Sequence, residues 1–176
     1  LETFKRDIAK QAATDYKISQ AVSRRFLIAD ADVARYEQEC RAKGRSTASY
    51  HLRQLAFPVE GESKDAESAA LDKVREAYQS IQTGGLSFAE GVRRFSPDPQ
   101  DKESGGDLGY LPSEKLAPKV LAAVKDLEPG HASRPLLTGA RASVFYVENK
   151  RGVRDLLFEE KFFEQKKQLL GELRRS

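Results

Sequence analysis

The 176-residue chain contains no methionine, a single cysteine and only two histidines. Each scarcity closes off a class of chemistry. Cys40, standing alone, can form no intrachain disulfide and no cysteine metal cluster, and it reads as a helix residue without a chemical role. His51 and His131 are too few for a histidine-rich metal site. No apolar run approaches the ~20 residues needed to cross a bilayer. Charge of one sign is missing too: 30 basic residues face 27 acidic ones, and a net charge of +3 argues against a dedicated nucleic-acid binder. No internal repeat is visible. The chain starts at Leu1 and lacks methionine, so it is expected to be a processed or excised piece, with any targeting segment out of view.

What is present is a charge-rich globular composition, 39% hydrophobic and 32% charged, which excludes a disordered chain. The length suits one ordinary domain, or a small domain with an attached helical part. Residues 3–25 lack Pro and Gly and repeat Phe4, Ile8, Ala12 and Tyr16 at helical spacing, which predicts a long amphipathic helix. A second helix is expected from Asp30 as N-cap to about Lys43, stopping at Gly44. A polar linker over 44–49 marks a boundary. Residues 50–59 read as a strand, 66–82 as a helix, and 88–95 as a helix capped by Ser87 with Glu90 as its capping-box partner. Residues 96–104 read as a polar loop, 111–125 as one or two short helices, and 133–137 and 142–148 as strands. A strong helix returns over 155–174, with Leu156, Phe163 and Leu170 seven apart. Its basic residues alternate with glutamates, as on a solvated face. Packing the two end helices on each other, within one chain or between two copies as a homodimer, buries both stripes. That predicts an α+β domain (50–152) inserted between the halves of a helical lobe (1–45 and 153–176).

The most demanding stretch is Gly105-Gly106-Asp107-Leu108-Gly109-Tyr110. Three glycines in five residues belong where the backbone needs positive φ or close approach. A phosphate loop fails, because no Gly-Lys-Ser/Thr follows and the glycines open no long helix. The run reads as a structural corner that fixes Leu108, as a buried aliphatic, against something.

With that corner stand Arg53-Gln54-Leu55-Ala56-Phe57-Pro58, Gly84-Gly85-Leu86-Ser87-Phe88-Ala89, Phe95-Ser96-Pro97-Asp98 and Leu127-Glu128-Pro129-Gly130. Together they resemble the parvulin-type peptidyl-prolyl isomerases of the SurA/PrsA chaperone group, over about residues 50–152. Ile28-Ala29-Asp30-Ala31-Asp32-Val33 resembles the helix start that precedes such domains. The resemblance implies an α+β fold with a four-stranded antiparallel sheet and surrounding helices. It also implies a periplasmic or envelope location, unfolded or proline-containing polypeptides as partners, and no cofactor, metal or nucleic acid. The family twists an X-Pro bond over a barrier of ~18–20 kcal/mol without covalent chemistry. It does so in an apolar cup beside a polar cluster of two histidines, a serine, and a cysteine or aspartate.

By that pattern Leu108, Leu116 and Val120 line the cup, and Val120 stands where an aromatic ring is common. Asp98 takes the cysteine/aspartate position and is the one catalytic candidate. Gln54 replaces the first-strand histidine, while Ala140 and Ser143 fall on the closing serine and histidine. His51 is offset by three from Gln54, which puts it on the opposite face of the strand, so it does not substitute. Gln54, Leu108, Leu116, Val120 and Ser143 are thus the expected substrate-binding residues. The expected function is a chaperone binding unfolded or nascent envelope polypeptides, with weak or absent isomerase activity. The alternatives are an active peptidyl-prolyl isomerase and an assembly subunit whose helices hold a dedicated partner.

Overall fold

A computed structural model describes residues 27–173; the helix expected over 3–25 lies outside them. The described residues fall into two compact units. One is Arg45–Arg151, and the other is made of the flanks that end at Gly44 and resume at Gly152.

The flanking unit holds α1 (Asp30–Ala42) and a second long helix, Val153–Leu173. The N-cap of α1 is Ala29 rather than Asp30. The Ala29 carbonyl accepts the first helical bonds from Asp32 and Val33, and the Asp32 carboxylate takes the Ala29 N–H at 3.4 Å. It is therefore the acid at the third helical position that reaches back, while Asp30 is already inside the first turn. The two helices pack together around buried Cys40 and Leu157. Arg154 pairs with Asp30 and donates to the Ile28 carbonyl at 2.8 Å, and Lys161 lies 3.9 Å from Asp32. Burial, with Glu160 hydrogen-bonded beside it, pushes the Tyr36 phenol well above its ordinary value.

In the larger unit the chain runs β1 (Ser49–Pro58), α2 (Lys64–Thr83), α3 (Phe88–Phe95), α4 (Pro99–Ser104), β2 (Asp107–Pro112), a 3-10 turn (Ser113–Lys115), α5 (Pro118–Val124), β3 (His131–Ala132), β4 (Leu136–Thr138) and β5 (Arg141–Arg151); the second long helix of the flanks is then α6. The sheet is antiparallel in the order β2-β1-β5, with β3 and β4 sharing the far side of β5. The fourth strand position is thus divided into two short pieces. Ser133-Arg134-Pro135 separates them: the Ser133 hydroxyl takes the Phe145 N–H at 3.0 Å, and Pro135 has no N–H to give a ladder.

Helices cover both faces of the two central strands, which explains why β1 alternates so weakly in sequence. On one face Leu55, Ala142 and Val144 meet Ala70, Val74, Ala77 and Ile81 of α2 and Phe88 and Val92 of α3. On the other, Tyr50, Leu52, Phe145 and Val147 meet Val120 and Val124 of α5. Ser87 caps α3 as its sequence predicts, with Glu90 returning the bond to the Ser87 N–H at 2.9 Å. Residues 96–104, by contrast, do not form a loop throughout. Asp98 is an N-cap, Pro99 opens α4, and Gly105 in the left-handed conformation closes it.

Candidate functional site

The glycine corner is clamped to β1 at one backbone position. The Gln54 N–H donates to the Gly106 carbonyl at 2.8 Å. Gly106 has φ +72°, and a Cβ there would fall 2.2 Å from the Gln54 carbonyl oxygen. The corner therefore fixes Gln54 first. Leu108 is not the buried aliphatic that the run suggests. Leu52 pairs with Gly109 and Arg53 with Asp107, so the register shift between them leaves Leu108 as the extra, unpaired residue. It is 37% exposed and belongs to neither apolar cluster.

Gln54 in turn reaches across the sheet. Its Nε2 donates to Ser143 Oγ at 2.8 Å, and Ser143 Oγ lies 3.0 Å from Thr138 Oγ1. Ser143 is fully buried, and its backbone pairs with Ala56 of β1 and Leu136 of β4. The structure thus joins the two positions at which the resemblance puts histidines by one short, neutral hydrogen bond. Thr138 completes the chain and has no counterpart among the residues singled out in the sequence. Its signal is the two-residue turn Gly139-Ala140, which pairs Thr138 with Arg141 and carries it back toward Ser143. Ser143→Ala strips an acceptor from the Gln54 amide and a partner from Thr138. It is expected to lower stability by about 1–3 kcal/mol in a urea melt, with the fold retained.

Leu116 and Val120 pack into the same apolar cluster, on Tyr50 and Leu52. Val120 is buried and contributes little surface, while Leu116 is half-buried. Of the three expected cup residues, Leu116 and Val120 thus share one apolar cluster, and Leu108 is the more exposed residue outside it. A shallow groove of about 450 Å3, lined by Ala117, Pro118, Lys119, Leu137, Thr138 and Gly139, opens beside the Thr138 end of the polar chain.

Asp98 uses both of its carboxylate oxygens. Its carboxylate caps α4 through the Gln100 N–H at 2.9 Å and binds Arg141 Nη2 at 3.1 Å. These bonds hold its carboxyl below the ordinary value, the backbone cap first. With Ala56, Pro58, Pro97, Pro99 and Arg141 it lines a groove of about 310 Å3. Neighbouring Asp101 is pushed up, by burial and then by the Asp98 charge. A depressed carboxylate stabilises the fold above its unfolded-state value, and that contribution is lost as pH falls through the folded value. Acid is therefore expected to fray α4 first. Asp98→Ala should reproduce the effect at neutral pH, with faster amide exchange over 100–104 and a melting temperature lower by a few degrees. Asp98→Asn keeps the cap and is expected to protect those amides.

His51 lies on the other face, as its offset from Gln54 predicts. Its Nε2 is 2.8 Å from Asp107 and 3.5 Å from Glu148, and its ring tilts against Tyr110. Arg53 bridges the same two carboxylates, at 3.3 and 2.9 Å. The carboxylates are thus already met by a guanidinium, and the group reads as an ion network pinning β2 and β5 to β1. His131 is exposed at the start of β3, where it pairs with Val147.

The chain is similar to known proteins. The family model "Rotamase: PPIC-type PPIASE domain" covers residues 54–149. Chaperone SurA of Xylella fastidiosa (strain 9a5c) is 30% identical over 137 residues, which is 71% of this chain and 29% of that protein. Chaperone SurA of Hydrogenovibrio crunogenus is 27% identical over 107 residues, 60% of this chain and 22% of that protein. The chain thus spans less than a third of the length of these curated relatives. Among solved structures, a PpiC-type peptidyl-prolyl cis-trans isomerase domain superposes with TM-score 0.51 at 20% identity, over 61% of this chain and 94% of that one. The peptidylprolyl isomerase PrsA of Bacillus anthracis does so with TM-score 0.50 at 20% identity, over 94% of this chain and 64% of that one. The structural likenesses speak for the fold, and the family match spans more than half of the sequence: the chain belongs to the PPIC-type peptidyl-prolyl isomerase (rotamase) family.

Proposed function

We propose that the chain is a polypeptide-binding part of a folding chaperone, whose rotamase domain holds unfolded or nascent envelope polypeptides and has weak or absent isomerase activity. The carrying observation is the neutral Gln54–Ser143–Thr138 chain at the positions where the resemblance puts histidines. Isomerisation makes and breaks no covalent bond. A site accelerates it by desolvating the X-Pro bond and by bonding the twisted form better than the planar one. Here one Gln54 amide N–H is given to Ser143, Ser143 is sealed from solvent, and the Asp98 carboxylate is spent on a cap and on Arg141. Few polar groups remain free to follow the twist, while half-exposed Leu108 and Leu116 and the grooves at Asp98 and at Thr138 still offer apolar surface.

The alternative, an active isomerase, draws support from the same hydrogen bond. It keeps the two family positions assembled, and the twist needs no proton transfer. The envelope location rests on the resemblance to the SurA and PrsA chaperones. A client test addresses the binding half of the proposal. A denatured enzyme diluted into buffer is expected to scatter less light when this chain is present in equal amount. Unchanged aggregation would contradict a chaperone role.

A further inference from the structure

A wide groove at the sheet edge is lined by neither Gln54 nor Ser143. It measures about 890 Å3 and runs between α5, Leu71 of α2 and the outer edge of the sheet, residues 132–137. Its apolar lining includes Leu71, Ala123, Leu127 and Leu137, and two cations, Lys119 and Arg134, stand in it. Both are exposed, no carboxylate lines the groove, and neither has an ion pair among the described residues.

The edge itself is the second observation. β3 and β4 form the last position of the sheet, and among the described residues no strand pairs beyond them. The edge is short and interrupted by Pro135, which guards against self-association but leaves room for one extended guest. The groove also shares Lys119 and Leu137 with the 450 Å3 groove beside Thr138, so one track follows the edge from Ala132 to Gly139. Its volume suits a segment of a few side chains.

We infer that this groove is a second polypeptide-binding site, taking an extended, acidic segment whose apolar side chains lie on Leu71, Ala123, Leu127 and Leu137 and whose carboxylates pair with Lys119 and Arg134. It goes beyond the function proposed above. It uses none of Gln54, Asp98, Leu108, Leu116, Val120 and Ser143, and it holds whether or not the chain turns over prolyl bonds. An extended segment follows from the open edge strand, and an acidic one from two exposed cations that have no ion pair among the described residues. Net charge then decides which segments enter, and it does so more steeply at low salt.

The test uses the full chain, nitrogen-15 labelled, with a fluorescein-tagged peptide of alternating leucine and glutamate and its leucine–lysine counterpart. The acidic peptide is expected to bind about tenfold more tightly than the basic one, and to shift amides over 119–127 and 132–138. Lys119→Glu combined with Arg134→Glu is expected to weaken it about tenfold. Both positions are exposed, and the amide spectrum reports whether the fold is intact. Ala123→Arg, which fills the floor, gives an independent loss of binding. Equal affinity for the two peptides, no response to charge reversal, or shifts centred on 54 and 143 would overturn the assignment. Concentration-dependent self-association abolished by Ala123→Arg, without peptide binding, would give the groove to a second copy and overturn it as well. Loss of client protection with groove binding intact would count against the proposed function alone.

Discussion

Gly106→Ala is expected to remove about 3 kcal/mol or more of stability, which lowers the melting temperature by roughly 10 °C. Two effects add. The residue sits at φ +72°, a conformation unfavourable for a side chain, and the new Cβ would lie 2.2 Å from the Gln54 oxygen and 3.2 Å from both its carbonyl carbon and its nitrogen. All three are backbone atoms of a central strand, so the neighbour cannot yield as a flexible side chain would. Relief would require β2 to move off β1, which breaks the Gln54–Gly106 hydrogen bond and loosens the Gln54 amide that reaches Ser143. Gly109→Ala is the internal control. Its φ is +66°, but a Cβ there meets nothing within 4 Å, so only the local backbone strain of about 1 kcal/mol is expected. A urea melt of the two variants separates close approach from backbone conformation.

Leu52→Ala is expected to cost about 2–5 kcal/mol. Leu52 is fully buried between its strand partner Val147 and the α5 residues Val120 and Val124. Truncation leaves a cavity under α5, the helix that also seats Val120 and follows Leu116. Leu108→Ala should behave in the opposite way. A bulged, 37% exposed residue outside both clusters contributes little to stability, less than about 1 kcal/mol, but its loss is expected to weaken client binding if the corner is a binding surface. Comparing the two variants distinguishes residues that build the cup from residues that present it.

Local chemistry made much of the fold readable. Ser87 and Glu90 sit three apart before an apolar run, and the capping box they predict forms. The long helices carry enough apolar repeats to declare themselves. α4 is different: six residues, PQDKES, bury no side chain, so periodicity is silent and only Asp98-Pro99 announces a start. That pair was available but reads equally well as a turn. The same end of α4 explains why Asp98, aligned with a family position, proves to be a cap bonded to Arg141. The salt bridge joins α4 to β5, and neither segment contains a local sign of it.

Non-local register accounts for the rest. The glycine corner was legible as a place needing special backbone, but its partner is the Gln54 backbone on another strand. The bulge that exposes Leu108 is equally invisible in the hexapeptide itself. Alternation in β1 was blurred because both of its faces are covered, and the shifts around Leu52 interrupt the period. The resemblance supplied Gln54 and Ser143 as positions. Only the pairing of β1, β4 and β5 brings them together and adds Thr138.

We propose that the neutral Gln54–Ser143–Thr138 chain preserves a binding surface and not a turnover site. The most direct measurement is a protease-coupled assay of a proline tetrapeptide with the purified chain, followed from pH 5 to 8. Gln54, Ser143 and Thr138 do not titrate in this range, and the Asp98 carboxyl is held below it. The expected result is a rate close to the uncatalysed exchange, which takes tens of seconds or longer, and no dependence on pH. Acceleration above about 100-fold over that background, lost on Leu108→Ala or Asp98→Ala, would instead establish an active isomerase.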